Sequence, residues 1–231
     1  MAVARKGVIG RVVRIPTKDL ASRLASIPNA DRAVVSCVVP SVRKHLAKAL
    51  PPRQLWLDHT TPSGVAIRYP SPATIGADRL ANAAAVVRSG KLPAIVVDFG
   101  TAVTFDVIDV WGCYLGGIIA PGLVTAAAAL HQGTALLPKT DIRKISSSIG
   151  KSTGEAIRIG LLLGAVGLIR EAVERITREA FGRRKPTVIA TGGNAELVSR
   201  LAAGGKGGNP IDLVDPLLTL RGLSVIAENN P

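Results

Sequence analysis

Three short segments carry residue types at spacings that could do chemistry. In Val97-Asp98-Phe99-Gly100-Thr101-Ala102-Val103-Thr104 an apolar run delivers a carboxylate at its end. The glycine that follows lets a ligand approach the backbone, and the two threonines offer hydroxyls and N–H donors. That set suits a cation or a phosphate held at a turn, although an aspartate closing a strand is also an ordinary turn cap. In Gly76-Ala77-Asp78-Arg79, with Asn82 after it and Tyr69-Pro70-Ser71-Pro72 before it, an acid and a base stand near the start of an expected helix. A carboxylate there could take a proton from a substrate hydroxyl, while Arg79 and the helix start hold anionic groups. The same pair would serve equally as a helix-capping acid with a surface partner. In Thr191-Gly192-Gly193-Asn194 two glycines remove side chains where a flat ligand could lie against the backbone, and Asn194 could be a helix N-cap.

These segments need elements to aim them. Val8 to Ile15 reads as a strand, and Thr17 caps an expected helix through Leu24. The continuous apolar run Ala33 to Val39 predicts a strand buried on both faces, ended by Pro40. A helix from Ser41 to Leu50, a short strand from Gln54 to Leu57, a loop over 58–72 and a helix from Ala77 to Ser89 follow. The pattern then restarts. Ala94 to Asp98, Val103 to Val110 and Tyr114 to Ile119 predict an antiparallel meander, because such short connections cannot join parallel strands. Helices are expected over Leu123 to Gly133, Ser152 to Phe181, Ala195 to Ala203 and Leu217 to Ile226. Between them lie a strand from Thr187 to Ala190 and a flexible loop from Lys206 to Pro210. The layout is α/β with a mixed sheet, and ligands of such sheets bind beyond the carboxyl ends of the strands. The natural boundary falls near residues 90–93, giving an N-terminal lobe over 1–90, short of strands, and a C-terminal lobe over 91–231.

Composition narrows the function classes. With 47% hydrophobic residues in 231 the chain can bury a substantial core. Only 3% of residues are aromatic, too few for a stacking platform for single-stranded nucleic acid. The net charge of +13 favours anionic partners. The basic residues are scattered, and the densest run is Arg183-Arg184-Lys185, so small anionic substrates are expected rather than nucleic acid. Cys37 and Cys113 form no CxxC pair and read as buried reduced thiols. The N-terminus lacks the apolar core of a signal peptide, and no stretch reaches the roughly 20 clean apolar residues of a membrane span, so a soluble cytoplasmic protein is expected. Ser148-Ile149-Gly150-Lys151-Ser152 resembles the end of a phosphate-binding P-loop, but Ile145 stands where that loop needs glycine. His45, His59 and His131 have no ligand spacing.

Taken jointly and in order, the segments resemble type III pantothenate kinases. The marks are RIPT at 14–17, SCVVPS at 36–41, YPSPATIGADRLAN at 69–82, VVDFGTAVTFD at 96–106, YLGGIIAPGL at 114–123, IGKSTGEAIRIG at 149–160 and ATGGNAELV at 190–198. The resemblance implies two ribonuclease-H-like lobes of the actin-like ATPase superfamily. It also implies ATP-dependent phosphorylation of pantothenate, the first step of coenzyme A synthesis. It makes Asp78 the general base and lines the pantothenate site with Tyr69, Gly76, Ala77, Asp78 and Arg79. Asp98 would bind a monovalent cation, usually potassium, and Thr101 would contact ATP. Gly192 and Gly193 would sit by the adenosine, and Thr153 would reach pantothenate across a homodimer interface. A divalent ion such as magnesium would accompany ATP. The family's opening strand, ending in Asp-x-Gly-Asn-Thr, has no counterpart here. The N-terminal lobe is therefore expected to lack its first hairpin, through a start placed too far downstream. A non-catalytic relative acting as an accessory transcriptional regulator is the alternative expectation.

Overall fold

The computed structural model describes residues 1–5, 7–15, 19–20, 30–205 and 207–231. Most of the helix expected from Thr17 through Leu24 lies outside the described residues, as do Pro16 and Thr17 of the RIPT segment and Lys206 of the expected loop. The described residues form two compact units, Met1–Gly90 with Leu217–Pro231, and Lys91–Pro216.

In the first unit β1 (Ala2–Arg5) and β2 (Val8–Val12) make an antiparallel hairpin that turns at Gly7, with φ at 77°. Only β2 is legible in the sequence, because β1 is too short to show a pattern. β3 (Ala33–Val35) pairs in parallel with β4 (Gln54–Trp56) through α1 (Pro40–Ala49). The apolar run over 33–39 was expected to be a strand buried on both faces. Only its first three residues pair, each half-buried, with β4 as the single neighbour among the described residues, and Val38 is exposed. Pro40 begins the helix instead of merely ending a strand, since its missing N–H is no loss in a first turn. Beyond β5 (Ala66–Ile67) and the 3-10 turn Pro72–Thr74, α2 (Ala77–Ser89) runs to Gly90, whose φ of 68° supplies the left-handed cap.

In the second unit β6 (Ala94–Phe99), β7 (Ala102–Ile108) and β8 (Cys113–Pro121) form the antiparallel meander. β8 leads into α3 (Leu123–Gln132), and a long loop leads to α4 (Thr153–Ile176), which ends in one π turn, Thr177–Phe181. β9 (Thr187–Gly192) lies parallel to β6, and after α5 (Ala195–Ala203) β10 (Leu213–Val214) lies parallel to β9. The order β10-β9-β6-β7-β8 is therefore a mixed sheet in a mixed α/β protein. Ile95, Val97 and Phe99 of β6 pack with Phe105, Leu162 and Ile169 in one core, which fixes the end of β6 firmly. Cys37 and Cys113 are free thiols, half-buried where burial was expected. Among the described residues no helix is long and apolar enough to cross a membrane.

The chain returns to the first unit in α6 (Leu218–Asn229), which lies against α2. The two helices meet backbone to backbone. A Cβ at Gly222 would overlap the carbonyl of Ala81. Beside that contact the Thr219 hydroxyl donates to Oδ1 of the buried Asn82 at 2.7 Å.

Candidate active site

The start of α2 presents the acid and base of the first unit. Gly76 precedes the helix with φ −59° and ψ 140°, and its carbonyl accepts from the N–H groups of Arg79 and Leu80. The Arg79 N–H also donates to Oδ1 of Asp78 at 2.9 Å, so one carboxylate oxygen is pinned to the first turn. A Cβ at Gly76 would stand 2.6 Å from that same oxygen, so a side chain there would push the carboxylate from its place. Asp78 and Arg79 are half-buried, and Ala77 is buried beneath them. Tyr69 is half-buried in the segment ahead of the 3-10 turn. The sequence pattern does not single out what holds this helix in place: the Asn82–Thr219 bond, between residues 137 positions apart in the chain, and the Ala81–Gly222 contact.

In the second unit Asp98, Thr101, Gly192 and Gly193 come together at the carboxyl ends of the parallel neighbours β6 and β9. The register sets Asp98 opposite Thr104 on β7 and opposite Thr191 on β9. Directly paired residues share a sheet face, so the carboxylate stands in one row with two hydroxyls. Gly192 has φ at 91°, and a Cβ there would fall 2.6 Å from Asp98 Oδ1 and 2.7 Å from the backbone of Phe99. Glycine is thus obligatory at 192, whereas a Cβ at Gly193 would meet nothing within 4 Å. Between β6 and β7 the Gly100 N–H donates to the Ala102 carbonyl, closing a tight turn whose Gly100 and Thr101 are exposed. Thr104 and Thr191 stand in the segments the sequence singles out, but that they flank Asp98 follows only from sheet register, which the linear pattern does not give.

Thr153 is carried by a different element, exposed in the first turn of α4. Ser152 caps that helix by accepting from the Glu155 N–H at 3.3 Å, and Glu155 accepts from the Lys151 N–H at 2.7 Å. The Gly150-Lys151-Ser152 run is therefore a helix cap with no strand ahead of it. The loop before the cap lines an open polar cavity with Arg143, Lys144, Ser146, Ser147 and Lys151. No group of three or more His, Cys, Asp or Glu side chains is placed to hold a metal ion among the described residues.

The profile of the type III pantothenate kinase family matches residues 14–175. A type III pantothenate kinase of Methylacidiphilum infernorum is 38% identical over 229 residues, covering 97% of this chain and 82% of that protein. One from Akkermansia muciniphila is 42% identical over 221 residues, covering 94% and 88%. One from Bacillus cytotoxicus is 40% identical over 201 residues, covering 85% and 74%. A crystal structure from Campylobacter jejuni, described as a conserved candidate Baf family transcriptional activator, superposes with a TM-score of 0.60. It covers 91% of this chain and 88% of its own, and at 22% identity the likeness bears on the fold alone.

Proposed function

The chain belongs to the type III pantothenate kinase family, and from that premise we propose which of its residues do the work. The chain transfers the γ-phosphoryl group of ATP to the primary hydroxyl of pantothenate, the first step of coenzyme A biosynthesis. Such a transfer asks little covalent chemistry of the protein; it asks for positioning and for charge neutralisation.

Asp78 is the general base. Its Oδ1 is held by the Arg79 N–H, and Oδ2 is the oxygen that orients and deprotonates the substrate hydroxyl. Tyr69, Gly76, Ala77 and Arg79 line the pantothenate site, with the Arg79 guanidinium suited to the substrate carboxylate. Thr101 meets the phosphates of ATP at the exposed β6–β7 turn, and Gly192 and Gly193 leave room for the adenosine. The row of Asp98, Thr104 and Thr191 is an all-oxygen donor set, which fits a hard monovalent cation such as potassium at Asp98. Such an ion, when bound, supplies positive charge beside the phosphates. Magnesium comes with the nucleotide, since it prefers phosphate oxygens and water to an all-protein cage.

The same reading gives two ribonuclease-H-like lobes in a cytoplasmic homodimer, with bounds that follow the two units, 1–90 with 217–231 and 91–216 in place of 91–231, because α6 rejoins the first unit. A second copy is supported by an open apolar groove of about 230 Å³ lined by Val103, Leu123, Gly160, Gly164 and Leu168. Ile119, Val124 and Leu163 are exposed in the same unit. From such an interface Thr153 of one chain reaches the pantothenate of the other. The regulator reading rests on a likeness of fold, and fold does not carry function.

The observation that carries the proposal is the pinned carboxylate at the start of α2. Its test is ATP-dependent phosphorylation of pantothenate with magnesium and potassium, wild type against Asp78→Asn. Loss of a general base lowers turnover by on the order of 10²–10⁴-fold. Equal turnover in the variant would remove Asp78 from the role.

A further inference from the structure

Thr101 does not stand alone at the phosphate-facing turn. Its carbonyl oxygen accepts two hydrogen bonds from the corner between β8 and α3: one from the Gly122 N–H at 3.0 Å and one from the Thr125 hydroxyl at 2.6 Å. The corner approaches so closely that a Cβ on Gly122 would overlap the carbonyl oxygens of both Gly100 and Thr101. The turn is thus braced from behind by residues 21 and 24 positions downstream in the chain, of which the Thr125 bond spans |i−j| of 24. Gly122 and Leu123 are buried, and Leu123 belongs to the core that holds β6 and β7, so the brace is tied to the rigid part of the unit.

We propose that Thr125 is a positioning residue for ATP, its hydroxyl fixing the Thr101 carbonyl so that the exposed face of the Gly100–Thr101 turn is preorganised for phosphate. The inference rests on the reading that Thr101 meets ATP. Nothing in Thr125 touches the reacting atoms. The carbonyl oxygen has two lone pairs, and the Thr125 hydroxyl takes the one that the Gly122 N–H leaves open. Two donors on one carbonyl also hold the Thr101–Ala102 peptide plane, the closing side of the turn, in a defined orientation, and that limits how the exposed Gly100–Thr101 backbone can move. A preorganised turn loses less freedom when the nucleotide binds, which is gained as affinity.

The test compares Thr125→Val, which keeps the branched shape and removes the donor, with Thr125→Ser, which restores the donor. Full-length wild type and variants are measured for ATP dissociation constant by calorimetry, for KM of each substrate and kcat, for melting temperature and for sedimentation. Thr125→Val weakens ATP binding about fivefold, the ordinary worth of one hydrogen bond. The KM for pantothenate, the melting temperature and the sedimentation coefficient stay as in wild type, and Thr125→Ser returns ATP affinity to within about twofold. Unchanged ATP affinity in Thr125→Val, or a loss that serine does not repair, overturns the inference. So does an equal loss for both substrates or a change in assembly, since either points to a structural role. If wild type binds ATP but does not phosphorylate pantothenate, the kinase reading falls while the affinity ratio still decides the brace. If wild type binds no ATP, both fall.

Discussion

Two helix faces in this chain use glycine in opposite ways. Where α6 lies on α2, Gly222 is a contact: the Ala81 carbonyl occupies the place a side chain would take. On α4, Gly160, Gly164 and Gly167 are openings, and a Cβ at any of them would meet nothing within 4 Å. The first face is finished within the chain, and it carries the helix whose first turn presents Asp78. The second is bare within the chain, next to an apolar groove, and is the face we assign to a second copy. Glycine in a helix costs up to about 1 kcal/mol relative to alanine. At 222 the close approach explains that cost within one chain; at 160, 164 and 167 one chain alone does not.

The same chemical change at the two faces therefore has opposite signs. Gly222→Ala drives a methyl into a backbone carbonyl and is expected to destabilise the chain by about 3 kcal/mol, the upper end for overpacking. Urea unfolding measures it; a loss below about 1 kcal/mol would mean that α6 shifts freely and does not brace α2. Gly164→Leu addresses the other face. It leaves the chain folded but places a branched side chain on the face proposed for a second copy, so a dimer formed through that face weakens at least about tenfold, or about 1.4 kcal/mol, by sedimentation. A wild type that is monomeric at all concentrations would overturn the second-copy assignment. Thr219→Val comes next. It removes the hydroxyl that donates to buried Asn82, at a cost of about 1–2 kcal/mol. Gly164→Ala is the counterpart of the first change: with open space around it, the folded chain gains about 0.5–1 kcal/mol from helix propensity alone.

Why one face was legible and the other was not follows from what a linear pattern contains. α2 over Ala77–Ser89 and α5 over Ala195–Ala203 stand where the sequence places them, because alanine-rich runs end at Gly90 and begin after Asn194. β6 shows itself as a continuous apolar run, and its ends place Asp98. Long-range pairings leave no such trace. Asn82 with Thr219, Thr101 with Thr125, and Asp98 with Thr191 are pairs that nothing local announces, although Asp98 and Thr101 stand out at their own positions. The glycines at 160, 164 and 167 stand in the sequence at helical spacing, but spacing alone does not decide between packing inside the chain and packing across copies. Gly222 carries the closest contact of all and sits in a helix without any local mark. The run over 33–39 misled for a related reason: apolar residues predict burial, but a strand also needs neighbours, and among the described residues only β4 pairs with β3.

The smallest expected effect concerns the start of α4, which is built as tightly as its middle is open. A Cβ at Gly150 would stand 2.5 Å from the Ala156 nitrogen, and one turn further Arg158 is buried with Asp141 as its partner. Arg158 Nη2 donates to Asp141 Oδ1 at 2.5 Å and its Nε donates to the Asp141 carbonyl at 3.0 Å. That side-chain bond, with the nearby Arg143 charge adding to it, holds the Asp141 carboxyl below its ordinary value of 3.8. A carboxyl depressed by folding stabilises the chain fully above its unfolded value and loses that contribution as pH falls through its folded value. Asp141→Asn should therefore be slightly less stable than wild type at neutral pH, with the gap constant down to about pH 4 and closing below it. Urea midpoints at neutral and at acid pH measure the gap. No gap at any pH would mean that Arg158 is held by the Asp141 carbonyl alone and that the carboxylate plays no part in setting where α4 begins, and a gap that persists unchanged into strong acid would mean that the charge of the carboxylate is not what stabilises it.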